Sequence, residues 1–189
     1  MRELVYYVAV SLDGFIAGPD GETDAFPVEG DHMRTLLDEF PETLPVHVAE
    51  TLGIPLAAGR FDTVIMGRNT LAPALEIGVP SPYPHLRQVV ATHRPHGLSA
   101  ELDVTDEPLR TVRELKTEPG ADLWLCGGGQ LAGSLLPEID RLILKRNPVT
   151  FGSGLPLFGG SAYTPRSFDL GRARAFDSGV VIEEYAAAR

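Results

Sequence analysis

Nine consecutive residues, Leu123-Trp124-Leu125-Cys126-Gly127-Gly128-Gly129-Gln130-Leu131, constrain the fold more than any other stretch of the chain. An apolar run breaks into three glycines and resumes at helical spacing, the pattern of a buried strand, a tight turn and a helix start. Glycines in such a turn let backbone N–H groups approach an anion, and the helix start behind them adds a partial positive charge. A packing role suits the same residues equally well, so the rest of the chain has to decide.

Strand-like runs recur at 4–10, 62–66, 88–91, 121–126, 140–147, 172–177 and 179–185, rich in Val, Ile, Leu and Tyr. Helical spacing marks Asp31–Phe40, Pro108–Lys116 and Gln130–Leu136, the second with Pro at a first-turn position. Strands alternating with helices predict a mostly parallel twisted sheet with helices on both faces, a three-layer α/β sandwich. The last two runs are separated by little more than Ser178-Gly179, which predicts an antiparallel hairpin at the carboxyl-terminal edge.

With 189 residues and 43% hydrophobic content, one domain over residues 1–189 is expected. Sixteen basic against 26 acidic residues give a net charge of −10, which argues against nucleic acid and anionic membranes as partners. No signal-peptide core precedes the first strand, so a cytoplasmic location is expected. The single cysteine, Cys126, excludes an intramolecular disulfide, and the five histidines show no metal-binding helical spacing. No metal site is expected.

A second glycine turn follows the apolar strand 62–66: Gly67-Arg68-Asn69-Thr70, read as a turn before a short helix. Two strand ends thus offer anion sites, and in an open α/β sheet such ends can grip the two halves of a dinucleotide. Arg68 would supply a guanidinium fork for phosphate and Thr70 a hydroxyl, although a surface arginine beside a tight turn reads the same way. Thr92-His93-Arg94, at a third strand end, suits an extra ribose phosphate or a solvated loop tip. Lys145 shares a strand face with Ile143, opposite Leu142 and Leu144. It would point into a cleft if that strand is central, or discourage pairing if the strand is an edge. Asp31 reads as the cap of its helix.

Four ordered motifs carry a family resemblance: Ser11-Leu12-Asp13-Gly14-Phe15-Ile16-Ala17, Val64-Ile65-Met66-Gly67-Arg68-Asn69-Thr70, Cys126 to Leu131, and Pro148-Val149-Thr150-Phe151-Gly152-Ser153-Gly154-Leu155-Pro156-Leu157-Phe158. Together they resemble the dihydrofolate reductase-like superfamily, in the branch of the reductase domain of bacterial riboflavin biosynthesis (RibD C-terminal type). The resemblance implies NADPH as hydride donor. It places the cofactor against Ala9, Ile16, Gly67, Arg68, Asn69, Thr70, Thr92, His93, Arg94, Cys126, Gly127, Gly128, Gly129, Gln130 and Leu131, with the Asp13 loop over the nicotinamide. Asp13 and Lys145 are the candidate catalytic residues. The implied substrate is a pterin-like or phosphoribosylaminopyrimidine-like heterocycle, as for 5-amino-6-(5-phosphoribosylamino)uracil reductase or dihydrofolate reductase, and the implied assembly a homodimer. The alternative is a protein of the same fold that binds NADP(H) without turnover. The tryptophan of folate reductases near the first helix is missing, since Trp124 is the only one.

Overall fold

The computed structural model describes residues 1–188. In chain order the strands are β1 (Leu4–Val10), β2 (Phe15–Ala17), β3 (Phe61–Gly67), β4 (Arg87–Ala91), β5 (Asp103–Thr105), β6 (Asp122–Gly127), β7 (Arg141–Arg146), β8 (Leu155–Pro156), β9 (Phe168–Ala175) and β10 (Val181–Ala187). The α-helices are α1 (Asp31–Glu39), α2 (Val46–Leu52), α3 (Arg68–Glu76), α4 (Pro108–Thr117) and α5 (Gly129–Leu135).

Eight strands form one sheet in the order β5-β4-β3-β6-β1-β7-β10-β9, and β2 pairs with β8 in a small ribbon. Strands β5 to β7 in that order run parallel, while β10 is antiparallel to both β7 and β9. The mostly parallel sheet and its antiparallel carboxyl-terminal hairpin agree with the sequence reading. The hairpin turn is longer than Ser178-Gly179 alone, because β9 ends at Ala175 and the turn is closed by Phe176 N–H donating to Val180 O at 3.0 Å.

Alternation along the strands sorts side chains onto two apolar faces. On one, Leu4, Tyr6, Val8, Leu142 and Leu144 pack with Val112 and Leu115 of α4 and Leu131 and Leu135 of α5. On the other, Val5, Tyr7, Val64, Met66, Trp124 and Ile143 pack with Phe40 and with Leu71 of α3. Each large side chain removed from water in this way contributes about 1.5–3 kcal/mol. Both faces are covered, so the parallel strands read as near-continuous apolar runs.

At the amino-terminal ends of the central strands sits a buried arginine. Arg2 donates to the Asp62 carboxylate, to Thr63 Oγ1 at 2.7 Å and to the Ala121 carbonyl, tying the starts of β1, β3 and β6. The opposite edge of the sheet, where these parallel strands end, is left for the loops that carry the site.

Candidate functional site

The two glycine turns face each other across the carboxyl ends of β3 and β6. A methyl group placed on Gly67 would come no closer than 3.9 Å to Gly127 O and Gly128 N, and one on Gly128 would lie 3.6 Å from Thr70 Oγ1 and 4.0 Å from Ile16 Cδ1. Gly67, Thr70, Gly127, Gly128 and Ile16 therefore surround one small cradle. The Gly127–Gly128 peptide is cis. Helix α3 begins at Arg68 itself, directly after β3, so Gly67-Arg68-Asn69-Thr70 is a helix start and not the separate turn expected from the sequence. Its N-cap is Gly67, with no side chain capping the first turn, and the cap of α5 at Gly128 is equally bare. The first-turn amides at both places thus have no side-chain acceptor among the described residues.

The third glycine does something else. A side chain on Gly129 would collide with the Pro156 carbonyl, and one on Gly133 with the Gly159 carbonyl, so both let the 155–159 segment lie directly on α5. Gly159 N–H donates to Gly129 O at 2.9 Å, and Leu157 O accepts from Tyr6 Oη at 3.1 Å. Gln130 is exposed, and the Leu131 side chain belongs to the core.

Arg68 Nη1 donates to Arg94 O at 2.7 Å, which brings the loop after β4 against the start of α3. Arg94 N–H in turn donates to Thr92 Oγ1 at 3.0 Å. Among the described residues neither Arg68 nor Arg94 forms an ion pair, and Asn69, His93 and Arg94 are exposed. Arg68 and Arg94 thus lie on adjoining segments and carry guanidinium groups without carboxylates in a chain of net charge −10.

Asp13 lies in the loop between β1 and β2. Its carboxylate accepts from Ser11 Oγ at 2.6 Å, from Gly152 N–H at 2.7 Å and from Phe151 N–H at 3.1 Å. These hydrogen bonds, that of Ser11 foremost, hold its pKa down to about 2. Leu12 N–H donates to Val149 O and Leu157 N–H to Gly14 O, so the loop is stitched to the 148–157 segment along its length.

On the second face of the sheet, a cavity of about 290 Å³ opens over β1 and β7 beneath α1. Tyr7, Ala9, Lys145 and Asn147 form its floor, with Phe26, His32, Met33, Leu36, Phe40 and Thr43 among its walls. Strand β7 is paired on both sides, with Ala9 opposite Lys145 in register, so Lys145 is not an edge residue. Its ammonium lies 4.2 Å from the centre of the Tyr7 ring, a cation–π contact, and has no carboxylate partner among the described residues. Burial pushes its pKa down to about 8, partly offset by the neighbouring Cys126. Burial pushes the Cys126 thiol up to about 11, so it is not a thiolate nucleophile at neutral pH. Cys126 and Thr70 also line a second cavity of about 360 Å³, walled by Pro45, His47, Met66 and Tyr83.

The acidic residues of α1 turn away from the first cavity. Asp31 is the first helical residue and Gly30 the cap, contrary to the capping role expected for Asp31. Its carboxylate instead accepts from Asp177 N–H at 2.8 Å and Ser178 N–H at 3.1 Å, in the β9–β10 turn. His32 is buried beside it, its Nδ1 2.9 Å from Ser178 Oγ. Tyr7 and Ala9 share the strand face of Lys145 by simple alternation, which was the available signal for the cavity floor. Its walls on α1 and in the 23–28 loop had no comparable signal.

The described residues contain no cluster of His, Cys, Asp or Glu able to hold a metal ion, and no helix long and apolar enough to cross a membrane.

Comparison with known proteins fits this geometry. A relative from Bacillus subtilis (strain 168), named "Uncharacterized protein YwjB", is 34% identical over 164 residues, covering 83% of each chain. Among solved structures, a protein from Shewanella sp. PV-4 provisionally named for riboflavin biosynthesis superposes with a TM-score of 0.71 at 23% identity, over 100% of both chains. Dihydrofolate reductase from Enterococcus faecalis, complexed with NADP(H) and RAB-propyl, gives a TM-score of 0.64 at 15% identity, covering 99% of this chain and 97% of that one. These two likenesses establish the dihydrofolate reductase-like fold. The family model of the RibD C-terminal domain matches residues 2–182, and the chain belongs to that family.

Proposed function

We propose that this chain is an NADPH-dependent reductase acting on a small ring compound held in the cavity over β1 and β7. The observation that carries the proposal is the cradle between Gly67 and Gly127–Gly128, where two helix starts without side-chain caps face each other across the ends of β3 and β6. The backbone of Gly67 to Thr70 and of Gly127 to Gln130 would hold the pyrophosphate. Arg68 and Arg94, with Thr92 and His93, would hold the extra phosphate on the adenosine ribose. Ile16, at the edge of the cradle, would close over the nicotinamide, with Ala9 beneath it.

When bound, the dihydronicotinamide supplies a hydride to an electrophilic carbon of the substrate. Lys145 Nζ supplies the matching proton to the heteroatom bonded to that carbon and regains it from water. Asp13, an ionised acceptor at neutral pH, is a positioning residue here: it fixes the loop that excludes water and does not itself donate a proton. The apolar walls Phe26, Met33, Leu36 and Phe40 keep the ring in place and the water out.

Titration with NADPH and NADH, followed by NADPH oxidation against pterins, phosphoribosyl pyrimidines and small cyclic carbonyls, tests this reading. Binding of NADPH with turnover of at least one panel compound is expected. Arg68→Ala should weaken NADPH about tenfold or more, the scale of a lost charge-assisted hydrogen bond, while thermal unfolding stays unchanged. Absence of NADPH binding would overturn the site assignment. Binding without oxidation across the panel would favour a protein that holds the dinucleotide without turnover.

A further inference from the structure

The charge inventory of the cavity beneath α1 carries the reductase reading further, toward the kind of molecule that fills it. No aspartate or glutamate lines the cavity. Three carboxylates of the surrounding elements are committed elsewhere: Asp31 to the backbone of the β9–β10 turn, Glu39 to both terminal nitrogens of Arg174 at 2.6 Å each, and Glu42 to Phe61 N–H at 3.1 Å. The cation of Lys145, in contrast, has no counter-ion and is held over the face of Tyr7. An amidine-like edge, such as the aminopyrimidine of a pterin, is a donor array that requires a carboxylate or comparable acceptors opposite it. This cavity offers a donor there instead. It also has no arginine, and neither does the second cavity, so a phosphate-bearing tail finds no guanidinium in either. A volume of about 290 Å³ is small for a ligand site and accommodates one or two fused rings.

We infer that the cavity over β1 and β7 selects an apolar one- or two-ring compound that presents a carbonyl or anionic oxygen to Lys145 Nζ, and rejects rings that present an amidine edge. The oxygen replaces the counter-ion that Lys145 lacks, and Tyr7 fixes the direction from which it is met. The chemical class of the substrate is thus a cyclic carbonyl compound with little polarity elsewhere.

Two probes of matched shape and opposite charge test this with the full chain and without NADPH: naphthalene-2-carboxylate and naphthalene-2-carboxamidine, each titrated calorimetrically. The carboxylate is expected to bind about tenfold or more tightly than the amidine, the scale of one charge-assisted contact. That preference would run against the overall negative charge of the chain, which on average favours the amidine. Lys145→Met should abolish the preference and Lys145→Arg retain it, with circular dichroism confirming that each variant is folded; Lys145→Gln replaces the methionine variant if that one does not fold. Equal affinities, tighter amidine binding, a preference that survives in a folded neutral variant, or no heat from either probe up to about millimolar concentration would each overturn the inference. Because NADPH is absent, its failure leaves the dinucleotide assignment standing, and loss of NADPH binding leaves the preference measurable.

Discussion

Lys145 is the residue in which burial and chemistry meet. A lysine with its ammonium on an aromatic face and no carboxylate beside it pays a desolvation penalty that lowers its pKa to about 8. The groups around it are Tyr7 from β1, Cys126 from β6 and His32 from α1. Burial raises the pKa of Tyr7 and of Cys126, so these two stay neutral through the range in which the lysine titrates. In the proposed role of proton donor Lys145 must be protonated, so kcat/KM is expected to fall as pH rises through about 8. A pH–rate profile checks this, and Lys145→Arg, whose guanidinium does not release a proton in this range, should remain folded but lose most of kcat at every pH. Strand alternation gave the face that Lys145 shares with Ile143, but whether that face meets a cleft or an edge was decided only by the pairing of β7 on both sides. The lysine's lack of a partner was not legible, because that depends on where the distant carboxylates of Asp31, Glu39 and Glu42 turn.

At the scale of elements, the loop between β1 and β2 and the 148–157 segment behave as one unit held by Asp13. Its carboxylate lies well below the ordinary range of about 3.9. A depressed folded-state pKa means that the stabilisation is fully present above the unfolded value and is lost as pH falls through about 2. Protection of the Phe151 and Gly152 amides, taken relative to their intrinsic exchange rates, should therefore hold from neutrality down to about pH 4 and fall below it, whereas Asp13→Ala should lower it at every pH. The ribbon β2–β8 that this loop belongs to escaped the sequence reading, as did β5 and α2. Strands of two or three residues carry too few alternations to register, and Val46-His47-Val48-Ala49-Glu50-Thr51-Leu52 contains β-branched residues that blur a helical pattern. Long, fully covered strands such as β1 and β6 were legible because both of their faces are apolar. The triple glycine proved to divide its labour: Gly127 and Gly128 border the cradle, while Gly129 serves the close approach of the 155–159 segment.

Across the whole molecule, stability and function are held at opposite ends of the sheet. Arg2 is 6% exposed and ties three strand starts at the end away from the cradle. Arg2→Ala leaves Asp62 without its counter-ion, held among the described residues only by Ala121 N–H and Thr63 Oγ1, and is expected to cost about 3 kcal/mol, seen as a lower midpoint in denaturant unfolding. NADPH affinity of the fraction that remains folded should be unchanged. The carboxyl-terminal hairpin links the two functions differently. Its turn receives the Asp31 carboxylate and the His32 ring, and thereby fixes the helix that roofs the cavity, although Asp31 and Asp177 are 146 positions apart. For anyone handling the protein, the place to leave alone is therefore the 176–180 turn and not the far end of β10: Val181 pairs with Arg146 but Ala186 with Arg141, beside Val5 of β1, so a group attached after β10 sits at the Arg2 end of the sheet, away from the roof of the cavity, whereas an insertion in the turn acts on that roof directly.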